Sequence, residues 1–280
     1  MVLTDAPLLE LRGVSYAYPG EEPALSEANL TLSRGERVAL LGANGAGKST
    51  LFLICNGVLK PEAGTILLNG QPVPKQEKAL RQLRQAVGLV FQNPEDQLIG
   101  ATVRSEISFG PMNLRLPEAE VRQAVQLSAE AMNVETMLDR PPQYLSGGEK
   151  KRVTIADILA MQAQVILFDE PTASLDPGHT SLLEETLDHL HQANIGLLVA
   201  THDVSFAWRW ARRAIVLTGG HILRDGPVED VFADDDLLAK AGLHKPELFA
   251  VSELLFPDVP PSRYPRTMEA FKTMLQEKTS

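Results

Sequence analysis

Gly42-Ala43-Asn44-Gly45-Ala46-Gly47-Lys48-Ser49 follows the apolar run Val38-Ala39-Leu40-Leu41 and precedes the helix-like segment Leu51-Phe52-Leu53-Ile54-Cys55. Strand, glycine-rich loop and helix in that order define a phosphate-binding loop. The glycines let the backbone curl until its N–H groups converge on one concavity, where they bind phosphate oxygens. A helix opening near Gly47 adds the positive end of its dipole. Lys48 is placed to reach the β- and γ-phosphates, and the Ser49 hydroxyl to bind Mg²⁺. A nucleoside triphosphate is the expected ligand; its use is not stated by this loop.

A second element answers part of that. Val165-Ile166-Leu167-Phe168 reads as a buried strand, and Asp169-Glu170 follow it directly. The carboxyl ends of parallel strands are where an open α/β sheet binds its ligand. Asp169 fits an Mg²⁺-holding aspartate, acting directly or through water. Glu170 is the candidate to orient or deprotonate an attacking water.

Around these motifs, strands and helices alternate. Leu8–Leu11, Val14–Tyr16 and Ala28–Ser33 read as strands, as do Thr65–Leu68, ending at the Asn69-Gly70 turn, and Val87–Phe91. Lys75–Arg84 has helical spacing and reads as a solvated helix face. From Ala101 to Tyr144 the alternation stops, and Pro117 opens a helix with Val121, Val125 and Met132 near helical period, so this stretch is an expected helical insertion. Further helices are expected from Gly147 to Leu159, Thr180 to Ala193 and Val204 to Arg212, and strands at Gly196–Ala200, Ala214–Leu217 and His221–Leu223. The pattern predicts an α/β fold with a mainly parallel sheet. Pro257, Pro260, Pro261 and Pro265 suggest an extended connector, after which Met268, Phe271 and Leu275 form one apolar helical face. That face is expected to pack on its own domain or on a partner subunit.

Composition narrows the function classes. The chain has 280 residues, 44% of them apolar, enough for a full core. Its formal net charge is −10, which argues against a non-specific nucleic-acid clamp. Cys55, the single cysteine, excludes an intrachain disulfide and reads as a small buried hydrophobe. Residues Met1 to Arg12 lack a signal-peptide pattern, and no apolar run approaches the ~20 residues that span a bilayer. His179, His189, His191, His221 and His244 read as surface residues rather than metal ligands.

Leu145-Ser146-Gly147-Gly148-Glu149 decides the class. It is a second glycine-containing helix start with a serine beside it, hence a second potential anion cradle. Together with the first loop it resembles the ABC-type ATPases, in which the signature serine and glycines close on the γ-phosphate across a dimer interface. The resemblance covers roughly residues 7 to 235. It implies a P-loop NTPase fold with a RecA-like core, an antiparallel β edge and a helical subdomain at about 93–160, all within a nucleotide-binding domain of residues 1–242, followed by a C-terminal helical extension of residues 243–280. It implies ATP contact by Gly42 through Thr50, by Tyr18 stacking on the base (Tyr16 is the alternative), by Gln92, and by Ser146, Gly147 and Gly148. It adds Gln92 to Ser49 and Asp169 as an Mg²⁺ ligand, His202 as a γ-phosphate contact beside the catalytic Glu170, and Ser174, Leu175 and Asp176 as a loop crossing between subunits.

Two segments resemble one branch of that family. Phe91-Gln92-Asn93-Pro94-Glu95-Asp96-Gln97-Leu98 resembles the corresponding loop of energy-coupling-factor transporters, and Leu145–Ala156 looks most like the cobalt or nickel importer ATPases, with Phe109-Gly110-Pro111 and Asp225-Gly226-Pro227 in agreement. Asp157 and Ser174 depart from that branch, standing where glycine is common. The implied protein is a head-to-tail homodimer on the cytoplasmic face of the membrane, binding ATP and Mg²⁺ and driving a transmembrane scaffold subunit and a substrate-binding membrane subunit. Its cargo would not bind here, because the chain lacks clustered Cys and His. Vitamin import is the competing transport reading. DNA-repair ABC proteins carry long insertions, and translation factors two phosphate loops; this chain has neither.

Overall fold

The computed structural model describes residues 7–173 and 177–279. The expected inter-subunit loop, Ser174, Leu175 and Asp176, lies outside the described residues, as does the side chain of His179.

The chain opens with β1 (Leu9–Ala17) and β2 (Pro23–Leu32). The sequence suggested two short strands where β1 is one. Its register on β2 shifts after Leu11, Gly13 takes φ +57°, and the Gly13 N–H donates to Asn29 Oδ1 at 2.9 Å. A bulge therefore bends the strand without ending it. There follow β3 (Arg37–Leu41), α1 (Lys48–Cys55), β4 (Ala63–Leu68), β5 (Gln71–Pro72), α2 (Glu77–Ala86) and β6 (Val87–Val90). Strands β2, β1, β4 and β5 form an antiparallel sheet in that order.

Next come α3 (Val103–Asn113), α4 (Glu118–Ala131) and α5 (Gly147–Ala160), which pack on one another; α3 and α4 fall within Ala101–Tyr144, where the alternation stops. The chain then resumes with β7 (Val165–Asp169), α6 (Pro177–Gln192), β8 (Gly196–Thr201), α7 (Val204–Trp210), β9 (Arg213–Thr218) and β10 (His221–Pro227). The main sheet runs β10-β9-β3-β8-β7-β6, parallel except for β10 at its edge.

Strand alternation sends side chains to two apolar layers. Val38, Leu40, Val165 and Leu167 face a layer holding Leu51, Phe52 and the antiparallel sheet. Ala39, Leu41, Ile166 and Phe168 face a layer holding α5, α6 and the C-terminal helices. Cys55 is buried in the first layer, and burial raises its thiol to about 12, so it is an inert packing residue.

The C-terminal region holds α8 (Val228–Phe232), α9 (Asp235–Ala241), α10 (Glu247–Leu255) and α11 (Met268–Thr279). Sequence periodicity missed the first three because each is too short for a full apolar stripe. Local caps define α9 instead: Asp234 accepts from the Leu237 N–H, and Gly242 closes the end at φ +65°. Phe271 of α11 packs edge-on against Phe256, whereas Met268 stays exposed. Trp208 of α7 sits among Phe232 and Phe249, and Phe249 meets Tyr264. The Arg266 guanidinium lies 4.6 Å from the Trp208 ring centre and donates to the carbonyls of Trp208 and Ala211. Residues beyond β10 are thus bound to the same core as the main sheet.

Candidate functional site

Strands β3, β8 and β7 lie side by side, so their carboxyl ends place Gly42, His202 and Asp169-Glu170 along one edge. Gly45 and Gly47 take φ +81° and +105°, conformations that turn successive N–H groups into the loop. A side chain at Gly42 would collide with the Leu217 carbonyl. Gly47 is the N-cap of α1 and no side chain caps that helix. Its first N–H groups remain for an anion, and Ala43, Asn44 and Gly45 are open to solvent.

Lys48 opens α1 and is 6% exposed. Its ammonium donates to the carbonyls of Gly42 at 2.7 Å and Ala43 at 3.3 Å. It also lies 3.3 Å from Glu170 Oε1, an ion pair without hydrogen-bond geometry, so Oε1 has no hydrogen-bond partner. Glu170 Oε2 lies 2.9 Å from His202 Nδ1. Glu170 takes φ +44°, unusual for a residue with a Cβ, and its N–H donates to the Ala200 carbonyl at 3.0 Å. That backbone bond to β8 holds the strained residue and turns its carboxylate between Lys48 and His202.

Asp169 hydrogen-bonds the Ser49 hydroxyl. Burial pushes its carboxyl above the ordinary value, opposed by that hydrogen bond and by Lys48 and Lys151. Tyr18 reaches the same helix, its hydroxyl 3.3 Å from Thr50 Oγ1 and its ring edge-on to Tyr16. Gln92, just past β6, is exposed, and its carbonyl accepts from Lys151 Nζ at 3.3 Å.

The structure therefore gathers Gly42 through Thr50, Asp169, Glu170 and His202 into one constellation, with Tyr18 at its side. Ser146, Gly147 and Gly148 lie at the start of α5. There Ser146 Oγ accepts from the Glu149 N–H, and Glu149 Oε2 accepts from the Ser146 N–H at 2.7 Å. This capping box pulls the Glu149 carboxyl below its ordinary value. Ser146 and Gly147 are exposed, and a Cβ at Gly147 would meet open space.

By sequence alone Lys151 is one member of the basic run Lys150-Lys151-Arg152. It is 7% exposed, and burial lowers its ammonium to about 8 against the opposing pull of Asp169. The available signal was position: Lys151 shares a helix face with Ile155 and Ile158, a place patterned for an apolar residue. His191 is half-buried where a surface residue was expected; its ring lies by Arg37 and Asp188.

Two phosphate-type helix starts and this carboxylate edge define an ABC ATPase, and the pattern of the ABC transporter family matches residues 25–173. The chain belongs to that family, within its energy-coupling-factor branch. It is 45% identical to the energy-coupling factor transporter ATP-binding protein EcfA2 of Methanospirillum hungatei over 249 residues, covering 89% of this chain and 63% of that relative. It is 46% identical to EcfA of Methanothermobacter thermautotrophicus, over 85% of this chain and 77% of the relative. It is 42% identical to EcfA of Methanocaldococcus jannaschii, over 89% of each. The solved structure of cbiO1 from Clostridium perfringens, part of the ABC transporter complex cbiONQ, superposes with a TM-score of 0.75 at 35% identity, covering 90% of this chain and 97% of that one.

Proposed function

We propose that two copies of this chain assemble head to tail as the ATP-hydrolysing motor of a membrane importer, with cobalt or nickel ions as cargo. The observation that carries the assembly is the exposed second cradle. The Gly42–Ser49 loop gathers Asp169, Glu170 and His202, while Ser146 and Gly147 lie exposed at a helix start whose capping bonds stay within that turn. A second copy turned about a two-fold axis would bring each exposed start over the other's loop.

The residues fit ATP and Mg²⁺: α1 is uncapped, Lys48 waits beside Glu170, and the Ser49 hydroxyl already meets Asp169. In this reading Gly42 through Thr50 hold the phosphates and Tyr18 stacks on the base. Ser49, Asp169 and Gln92 hold Mg²⁺, which offsets phosphate charge when bound. Lys48 leaves the Gly42 carbonyl to meet phosphate. Glu170 then orients an attacking water and takes its proton, and His202 supports Glu170 while contacting the γ-phosphate. Ser146, Gly147 and Gly148 of the second copy complete the site, with Ser174, Leu175 and Asp176 crossing between the subunits. The unit of residues 1–242, with its helical subdomain at about 93–160, performs this cycle, and residues 243–280 form the extension.

Among the described residues no helix is long and apolar enough to cross a membrane, so the spanning parts in this reading are other subunits, a scaffold and a substrate-binding protein. Attachment is at the cytoplasmic face. A groove of about 460 Å³ between α2 with the edge strand β6 on one side and α3 with α5 on the other, lined by Phe91, Phe109 and Asp157, is the docking place for the scaffold. The metal cargo rests on the resemblance of Leu145–Ala156 to the cobalt or nickel importer ATPases. Glu149 adds little, because its carboxylate is spent on the Ser146 cap. Co-purification with membrane subunits, followed by uptake of Co²⁺, Ni²⁺ and vitamins, tests the reading. Metal uptake abolished by Glu170→Gln is expected; uptake of vitamins alone, or no membrane partner, would overturn it.

A further inference from the structure

The loop after β6 and the first turns of α5 are joined by side chains from both directions. Lys151 Nζ donates to the Gln92 carbonyl at 3.3 Å, Lys150 pairs with Glu95 at 2.6 Å, and Gln97 donates to the Thr154 carbonyl at 3.3 Å. Gln97 also accepts from the Phe91 N–H at 3.3 Å, so the loop is held at both ends. Lys150 and Glu95 meet near solvent, where an ion pair contributes little. Lys151 is buried, with Asp169 as its opposing charge. Among the described residues Lys151 donates to a neutral carbonyl and meets no carboxylate within ion-pair distance, a poor stabilising arrangement; an apolar side chain of similar length would serve the packing as well or better.

What Lys151 does instead is geometric. Ser146 lies five residues before it on the same helix, about 7.5 Å along the axis at 1.5 Å per residue. Helix α5 moves as a rigid rod on that scale, so a shift of the Gln92 carbonyl or of Asp169 moves Ser146. We infer that Lys151 is a positioning residue that makes the signature turn of each copy follow the state of that copy's own nucleotide site, coupling the two sites of the dimer. This rests on the two-copy reading above.

The test uses the full chain in a Glu170→Gln background, with ATP and Mg²⁺. ATP affinity is read on dilute protein with a fluorescent ATP analogue, and ATP-driven dimerisation by sedimentation over a range of protein concentrations. Lys151→Met and Lys151→Gln are expected to bind ATP within a few-fold of the parent, to melt no lower than it, and to need about tenfold more protein to dimerise. Lys151→Arg, which keeps a charged donor of similar reach where Gln is neutral and shorter, is expected to recover most of the loss. Dimerisation equal to the parent in both neutral variants would overturn the proposal, as would a fall in ATP affinity matching the fall in dimerisation. Lower melting of both would make Lys151 a structural residue and overturn it too. If the parent itself fails to dimerise with ATP, the two-copy reading falls, and the coupling role with it.

Discussion

Glu170 is held by His202: its Oε2 lies 2.9 Å from His202 Nδ1 and 3.4 Å from the His202 backbone N–H, while Oε1 faces Lys48. The carboxylate is 7% exposed, yet the imidazole that steadies it is mostly in solvent. One side of the pair is fixed by the sheet, and the other is open to whatever closes over the loop.

Glu170→Gln keeps the shape and removes the base. Hydrolysis is expected to fall by about 10²–10⁴-fold with ATP binding retained. Phosphate release alongside bound-nucleotide measurement checks this. Full turnover would remove Glu170 from its assigned role.

His202→Ala frees the Glu170 carboxylate to rotate toward Lys48. The expected result is a fall in kcat of about 10–100-fold with KM for ATP changed only a few-fold, the mark of an interaction made in the transition state. A rise in KM at constant kcat would place His202 in ground-state binding instead.

Ser49→Ala leaves Asp169 without its hydroxyl partner. The Mg²⁺ concentration for half-maximal activity is expected to rise by at least about tenfold. A titration of rate against Mg²⁺ at fixed ATP reads this directly, and an unchanged midpoint would exclude Ser49 from the ligand set.

Asp157 faces Gln97 and Glu106 inside the groove, and burial lifts its carboxyl from 3.8 to about 7. The folded chain therefore holds a proton there that the unfolded chain has released between pH 4 and pH 7. Stability falls as pH rises through that window and stays reduced above it. Asp157→Asn keeps the hydrogen bond to Gln97 and removes the charge. It is expected to stabilise by about 1–3 kcal/mol at pH 8 and by nothing measurable at pH 4. Melting curves at the two pH values check the sign.

The elements that position the site were legible in the sequence because each carries local chemistry. The glycines at 42, 45 and 47, the apolar strand before Asp169, and the serine-glycine helix start at Ser146 all act within a few residues of themselves. What sequence reading missed depends on contacts across the chain. The β1 bulge needs Asn29 to receive the Gly13 N–H. Helices α8 to α10 owe their existence to packing around Trp208 and to end caps rather than to periodicity. The role of Lys151 is set by the Gln92 carbonyl, fifty-nine positions earlier in the chain.

The central claim is that the working site is shared between two copies, and mixing two inactive variants tests it most directly. Lys48→Ala destroys the loop of its own copy, and Ser146→Arg blocks the signature turn that the copy lends to its partner. Each alone is expected to be inactive. In a mixed dimer, one site combines both defects and the other combines none. ATPase activity of an equimolar mixture should therefore recover measurably, to at most about a quarter of the parent, since half of the dimers are mixed and each holds one intact site whose lent turn belongs to a copy with a dead loop. A mixture as inactive as its components would contradict the shared site.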